Sequence, residues 1–265
     1  MVTPVRGTAL VRRPSPRLAE GIVTHIERTP VDVGKAMEQH AGYAAALAAH
    51  GWSIAEVPPA DESPDSVFVE DTVVVCDGLA VITRPGALQR RPETEALDSV
   101  IAGVPGPAIA VARIEPPGTL DGGDVLQVGT TVYVGQGGRT NAEGIRQLAA
   151  LLAGRGRTVV AVPLGSPAGP DVLHLKSAVT ALPDGTFLAW DEGVDRARFA
   201  PLLTVPEEPG AHVVPLGGQD VLIAASAPAT AELLADRGWR PVVVDISEFE
   251  RLEGCVTCLS VLIGP

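Results

Sequence analysis

A thiol, an imidazole and several carboxylates are spread along this chain where they could combine into one reactive site. Cys258 opens the apolar run Cys258–Ile263, and His174 lies in Leu173-His174-Leu175-Lys176. Acids stand at Glu70-Asp71 and at both ends of Asp121-Gly122-Gly123-Asp124, with Asp65 just before the first pair. Cysteine attacks as its thiolate, and a histidine can deliver or remove the protons such an attack requires. Carboxylates nearby suit a cationic substrate, which they hold by charge-assisted hydrogen bonds. Plainer roles stay open for each residue. Glu70 and Asp71 interrupt a β-branched run, where consecutive side chains point to opposite faces of a strand. A surface edge accounts for one of them, not both, because a buried carboxylate without a partner is costly. The Asp121–Asp124 segment also fits an ordinary turn, and His174 among apolar neighbours also fits a core histidine.

Other candidate motifs are weaker. Cys255-Val256-Thr257-Cys258 has the C-x-x-C spacing of redox and zinc sites. A single pair is a poor zinc signal, and a thioredoxin-type pair opens a helix, whereas the run after Cys258 reads as a strand. Cys76 ends a β-branched run and is read as packing. Gly135-Gln136-Gly137-Gly138 lacks the third glycine and the βαβ start of a dinucleotide fingerprint. The three cysteines do not make a disulfide framework, which points to a reducing cytoplasm. Met1–Pro16 has no apolar core of a secretory signal, and no apolar run approaches the roughly 20 residues of a membrane span. A net charge of −12 argues against a nucleic-acid partner and is compatible with a cationic small molecule. With 46% hydrophobic but 3% aromatic residues, the core has to be built from Val, Ala, Leu and Ile.

The elements that must position these residues recur in one order. Val67–Cys76 and Leu79–Thr83 read as strands joined by the hairpin dipeptide Asp77-Gly78, followed by helix Glu93–Ile101 and strand Ala108–Ile114. The second unit runs Asp124–Val128, Thr131–Val134, helix Ala142–Ala153 and strand Thr158–Val162, with Thr140-Asn141-Ala142-Glu143 as a capping-box pattern. A third runs Lys176–Leu182, Phe187–Trp190 and a short helix near Val194–Phe199. A fourth runs His212–Pro215, Asp220–Ala224, helix Ala229–Arg237 and strand Pro241–Val244. Cys258–Ile263 has no partner downstream, so Thr8–Arg12, helix Val33–His50 and strand Ser53–Val57 are expected to complete a fifth unit by joining the two termini. Repeats of this kind indicate a propeller-like array, although an open α/β sheet has the same alternation. In a five-unit array the equivalent strand ends converge, bringing the acids, His174 and Cys258 together in a single catalytic domain over residues 1–265.

These segments resemble the dimethylarginine dimethylaminohydrolases of the guanidine-modifying (pentein) superfamily. The resemblance spans about Leu10 to Ile263 and rests on Pro64-Asp65-Ser66-Val67-Phe68-Val69-Glu70-Asp71, Ile82-Thr83-Arg84-Pro85-Gly86-Ala87, Leu120-Asp121-Gly122-Gly123-Asp124, Arg139-Thr140-Asn141, Leu173-His174-Leu175-Lys176 and Thr257-Cys258-Leu259-Ser260. It implies a five-bladed α/β propeller and hydrolysis of N-omega-methylated arginines to citrulline and methylamine or dimethylamine. It further implies Cys258 as nucleophile, His174 as acid and base, and Asp121 as the acid that orients the imidazole. Glu70 and Asp71 are implied as guanidinium holders, Asp65 as the contact for the α-amino end, and Arg90 and Arg139 as the pair for the α-carboxylate. Ile22 matches a lid position, Phe68 a substrate-contact position, and the carbonyl of Leu252 a backbone contact; Cys255 has no counterpart. No metal or organic cofactor is implied, and the partner is a small molecule acted on by a monomer or homodimer. Related activities open on the same residues are those of an arginine deiminase or an amidinotransferase, and in another class a redox or zinc protein using Cys255 and Cys258.

Overall fold

A computed structural model describes residues 6–165, 172–190 and 195–264. Its strands form five three-stranded sheets, each with an antiparallel first pair and a parallel second pair. In chain order these begin with β1 (Gly7–Val11), helix α1 (Val33–Ala49) and β2 (Trp52–Glu56). Blade one follows as β3 (Val73–Cys76), β4 (Leu79–Ile82), helix α2 (Leu97–Ala102) and β5 (Ala110–Arg113). Blade two is β6 (Val125–Val128), β7 (Thr131–Gln136), α3 (Ala142–Leu152) and β8 (Thr158–Pro163). Blade three is β9 (Val179–Ala181), β10 (Phe187–Ala189) and β11 (Leu202–Thr204); blade four is β12 (Val214–Gly217), β13 (Asp220–Ala224), α4 (Pro228–Asp236) and β14 (Arg240–Val244). After the short α5 (Ser247–Glu250), the last strand β15 (Val261–Ile263) pairs antiparallel with β1, so the fifth sheet is completed by both ends of the chain.

Local chemistry explains the repeat. Asp77 and Gly78 both take positive φ, the twist that a two-residue hairpin turn needs. Parallel strands cannot be joined by a tight turn, so a longer crossover, helical in most blades, leads to the third strand. In α1 the buried Ala36, His40, Tyr43 and Leu47 recur at helical spacing and pack inward. The outer strands β5 and β14 are largely exposed or half-buried, whereas β4 is buried throughout.

Five apolar clusters fill the gaps between neighbouring blades. Val81 with Val132 joins blades one and two, Leu126 with Phe187 blades two and three, and Leu188 with Val221 blades three and four. Leu222 with Ala9, and Val261 with Val73, seal the fifth blade to its two neighbours. A ring of five interfaces therefore closes, around a cavity of about 350 Å³ lined by the first strand of every blade, at Val74, Leu126, Thr180, Val214 and Leu262 among others.

Several expected bounds shift. The segments read as the starts of strands at Val67, Asp124, Lys176 and Cys258 contain short 3-10 turns ahead of shorter strands, Val69–Thr72, Gly122–Asp124, Leu175–Ser177 and Val256–Leu259; at His212 the corresponding turn, Glu208–Ala211, comes just before it and the strand starts at Val214. Helix Glu93–Ile101 is a 3-10 segment (Leu88–Thr94) followed by α2. Near Val194–Phe199 only the turn Arg196–Arg198 is helical, Val194 itself lying outside the described residues. Asn141, not Thr140, caps α3 through Gly144, while Glu143 bonds Arg146 and Gln147. Among the described residues no helix is long and apolar enough to cross a membrane.

Candidate active site

The five turns occupy equivalent positions at one end of the ring, and four of them carry the acids, the imidazole and the thiol. Turn Val69–Thr72 supplies Glu70 and Asp71. A 3-10 turn advances about 120° per residue, so neighbouring side chains diverge without either reaching solvent. Glu70 goes one way, to Lys176 Nζ at 2.5 Å and the Thr257 hydroxyl at 3.0 Å. Asp71 goes the other, accepting from Arg90 Nη1 at 2.5 Å and from the Gly123 amide at 2.8 Å. Glu70 lines the central cavity, whereas Asp71 lines a second, small cavity of about 20 Å³ together with His174 and Cys258.

His174 precedes the third turn. Its Nε2 lies 3.1 Å from Asp121 Oδ2 and 3.9 Å from Asp71 Oδ1. Asp121 is wholly buried behind the ring, and its other oxygen accepts from the Gly86 amide at 2.8 Å. Asp124 accepts from the Leu175 amide at 2.9 Å and so fixes the backbone beside His174. The glycines between these acids are steric requirements: a Cβ on Gly123 would stand 2.7 Å from both His174 Nδ1 and Asp71 Oδ1. Burial opposes charge on His174, but Asp71 and the bond to Asp121 outweigh it and push the imidazole up to about 9. Burial likewise opposes charge on Asp71, and His174 and Arg90 overcome it, holding this carboxyl well below the usual range. Burial raises Glu70 to about 7 against the pull of Lys176.

Cys258 sits on the fifth turn, which Tyr43 of α1 braces by donating to the Val256 carbonyl at 2.7 Å and meeting Ser260 Oγ at 2.8 Å. Its sulfur is 3.2 Å from Cys255 Sγ. That hydrogen bond, burial, and the negative charges of Cys255, Glu70 and Asp71 hold the Cys258 thiol well above its ordinary value. The surrounding charges and burial thus favour a charged imidazole and a protonated Cys258 sulfur. A cation placed between them would favour the Cys258 thiolate, because opposite charge stabilises the ionised form.

The remaining expected residues meet here as well. Ile22, Asp65, Phe68, Arg90, Arg139 and Leu252 line the same small cavity. Asp65 accepts the Ile22 amide at 3.0 Å, which pins the loop over the site. Arg139 Nη1 is 3.6 Å from Asp121 and 13% exposed. Arg90 is buried and heavily committed: its Nε and Nη2 bond Glu93 at 3.2 and 2.8 Å, and Nη2 also donates to the Phe68 carbonyl at 3.0 Å. The cavity, of about 20 Å³, has room for about one water. Asp71, Asp121 and His174 offer ligand-type atoms within 4.8 Å of one another. Arg90 on Asp71, and Arg139 near Asp121, already set positive charge against two of the three.

A family model described as arginine deiminase matches residues 37–228. An N(G),N(G)-dimethylarginine dimethylaminohydrolase of Streptomyces coelicolor is 60% identical over 96% of this chain and 95% of its own. The chain belongs to the dimethylarginine dimethylaminohydrolase family. A dimethylarginine dimethylaminohydrolase structure described as an adduct with S-methyl-L-thiocitrulline aligns with a TM-score of 0.89 and 36% identity, covering 98% of this chain and 100% of the other. The Pseudomonas aeruginosa protein, solved as a cysteine-to-serine mutant complexed with citrulline, gives 0.87 and 37% over the same shares. The pentein fold and its five repeated units are therefore those of the dimethylarginine dimethylaminohydrolase family.

Sequence reasoning left several residues of this site without a role. Lys176 stands in a quoted block, but nothing local reveals its pairing with Glu70, 106 positions away. Glu93 is three residues from Arg90, a spacing that signals an ion pair only once both are known to be buried. Glu253, at positive φ, receives the amides of Thr24 and Ile26 at 3.0 Å and that of His25, tying down the same loop that Asp65 holds.

Proposed function

We propose that this chain hydrolyses N-omega-methylated arginines, asymmetric dimethylarginine and monomethylarginine, to citrulline and dimethylamine or methylamine. The observation that carries the reading is the convergence on one cavity of Cys258, a charged His174 and Asp71, in a chain 60% identical to a dimethylarginine dimethylaminohydrolase. A guanidinium ion is a poor electrophile whose charge is spread over three nitrogens, so it must be fixed before attack. Asp71 and, from behind, Glu70 supply the negative field, and the incoming cation draws the Cys258 thiol to thiolate, its proton leaving to solvent because His174 is already charged. Its sulfur bonds to the central carbon. His174 then gives its proton to the departing methylated nitrogen, and the C–N bond breaks to leave an S-alkylthiouronium on Cys258. The neutral imidazole next removes a proton from water, whose oxygen displaces the sulfur and yields citrulline. Asp121 keeps the ring in place for both transfers.

At the far end of the substrate, Asp65 takes the α-amino group and Arg90 with Arg139 the α-carboxylate. Ile22, Phe68 and the Leu252 carbonyl close around the middle. This orients the reacting carbon by binding energy gained away from it. Because Arg90 is already bonded to Asp71 and Glu93, Arg139 is the freer of the two for the carboxylate. The whole of residues 1–265 acts as one catalytic domain, as a monomer or homodimer in the cytoplasm. An arginine deiminase activity would use the same residues. Citrulline formation from asymmetric dimethylarginine, monomethylarginine and arginine in parallel separates the two: turnover of the methylated substrates over arginine is expected, and turnover of arginine alone would overturn the reading.

A further inference from the structure

We infer that Cys255 and Cys258 form a reversible disulfide when a hydroperoxide enters the site, with Cys255 resolving the oxidised nucleophile. The two sulfurs are 3.2 Å apart with only Val256 and Thr257 between them in the chain. A disulfide measures about 2.05 Å, so each sulfur travels only about 0.6 Å to make the bond. The turn Val256–Leu259 sets this approach: Cys255 is its N-cap, the Cys255 amide donates to Cys258 Sγ at 3.4 Å, and Cys255 Sγ accepts in return from the Cys258 amide. The strand expected after Cys258 is present as Val261–Ile263, so the pair does not open a thioredoxin-type helix; it spans a four-residue 3-10 turn, and it is that turn which brings the sulfurs together.

The sulfurs also face different spaces. Cys258 lines the site cavity with Asp71 and His174, which is large enough for a molecule near the size of water. Cys255 lines a neighbouring cavity of about 510 Å³ beside His212, and Leu173, Glu253 and Gly254 form a wall common to both. Cys76, the third cysteine, lies at the end of β3 against Asp77 and lines neither. Peroxide arrives on the Cys258 side, and a reducing dithiol has access to the Cys255 side.

The chemistry balances in two steps. The Cys258 thiol first passes its proton to the Cys255 sulfur 3.2 Å away, and the resulting Cys258 thiolate attacks one peroxide oxygen; the O–O bond breaks, the second oxygen leaves as water or an alcohol after taking that proton back from Cys255, and Cys258 becomes a sulfenic acid beside a Cys255 thiolate. The Cys255 thiolate then attacks the Cys258 sulfur, the S–O bond breaks, and hydroxide departs and takes up a proton as water. Two thiols are oxidised and one peroxide is reduced. The disulfide removes the nucleophile from service and prevents its further oxidation to the sulfinic acid, which dithiols do not reverse.

The full chain is treated with hydrogen peroxide, the excess removed, and intact mass, alkylation mapping and citrulline formation followed before and after dithiothreitol. Expected are a loss of two hydrogens per chain, Cys76 as the one thiol still alkylated, and loss of turnover that dithiothreitol restores. A Cys255→Ser variant loses no hydrogens and gains oxygen at Cys258; under excess peroxide it passes to the sulfinic acid, which dithiothreitol does not reduce, whereas the unaltered chain recovers at the same dose. Oxygen added at Cys258 of the unaltered chain with Cys255 still alkylatable would overturn the inference, as would an equal yield of sulfinic acid in the unaltered chain and the Cys255→Ser variant at that dose. Mass and mapping do not depend on the substrate, so their failure sinks the disulfide, whereas absence of turnover before oxidant sinks the functional reading instead.

Discussion

The turn Val69–Thr72 of blade one and the turn Glu208–Ala211 of blade four hold equivalent places in the ring, yet their acids do different things. Glu70 and Asp71 are buried and matched to cations, a half-buried Lys176 and a buried Arg90. Glu207, which precedes the fourth turn, is half-buried and accepts the first amides of α4, from Ala229 at 2.7 Å and Thr230 at 2.8 Å. His212, just after that turn, donates from Nε2 to the Ser177 carbonyl beside blade three at 2.8 Å, and lines the neighbouring cavity, not that of Cys258. The scaffold thus offers five similar positions. What makes one of them chemical is burial of charge against charge, which keeps a carboxylate ionised where water does not screen it; what makes another structural is the plain capping of a helix.

This contrast can be broken or sharpened by substitution. His174→Asn, beside the reactive turns, is expected to lower turnover about 10²–10⁴-fold, the usual contribution of a general acid–base group, as read by citrulline formation; a fully active variant would break the division. Arg90→Ala leaves Asp71 and Glu93 buried without their shared partner, and stability measured by denaturant should fall by about 3–5 kcal/mol. The pH dependence is a finer probe. Stability owed to charged His174 is fully present below its ordinary value of 6.5 and is lost as pH rises through about 9. The alkaline limb of kcat/KM should lie in the same region, since the free enzyme must hold the proton it later donates. Asp71 is the foremost group raising that value, so Asp71→Asn should move the limb down toward 6.5; a limb that stays put would contradict the electrostatic account. Smallest of all, Glu207→Ala should cost about 1 kcal/mol, as loss of a helix cap does, while kcat and KM stay unchanged.

Much of this was legible in the sequence. The dipeptide Asp77-Gly78 located a hairpin, the repeated order of elements gave five units, and an unpartnered last strand implied closure through the N-terminal one, as the β1–β15 pairing bears out. Short 3-10 turns were not legible, because three or four residues carry no periodicity and β-branched residues flank them as they would a strand. That is why Glu70 and Asp71 were expected on two faces of a strand instead of diverging within a buried turn. Contacts between distant charges, such as Lys176 with Glu70 and Glu253 with the Thr24–Ile26 amides, leave no local pattern because folding alone creates them.

The central claim is that the Cys258 sulfur makes a covalent bond to the guanidino-type carbon of the substrate. It is tested most directly with a His174→Gly variant and S-methyl-L-thiocitrulline, whose thiolate leaving group departs without strong protonation while the missing imidazole leaves water unactivated. Mass spectrometry after acid quenching should find the amino-acid adduct on the peptide carrying Cys258 and localise it to that sulfur. An adduct on Cys255, or an unmodified chain that still releases citrulline, would contradict it.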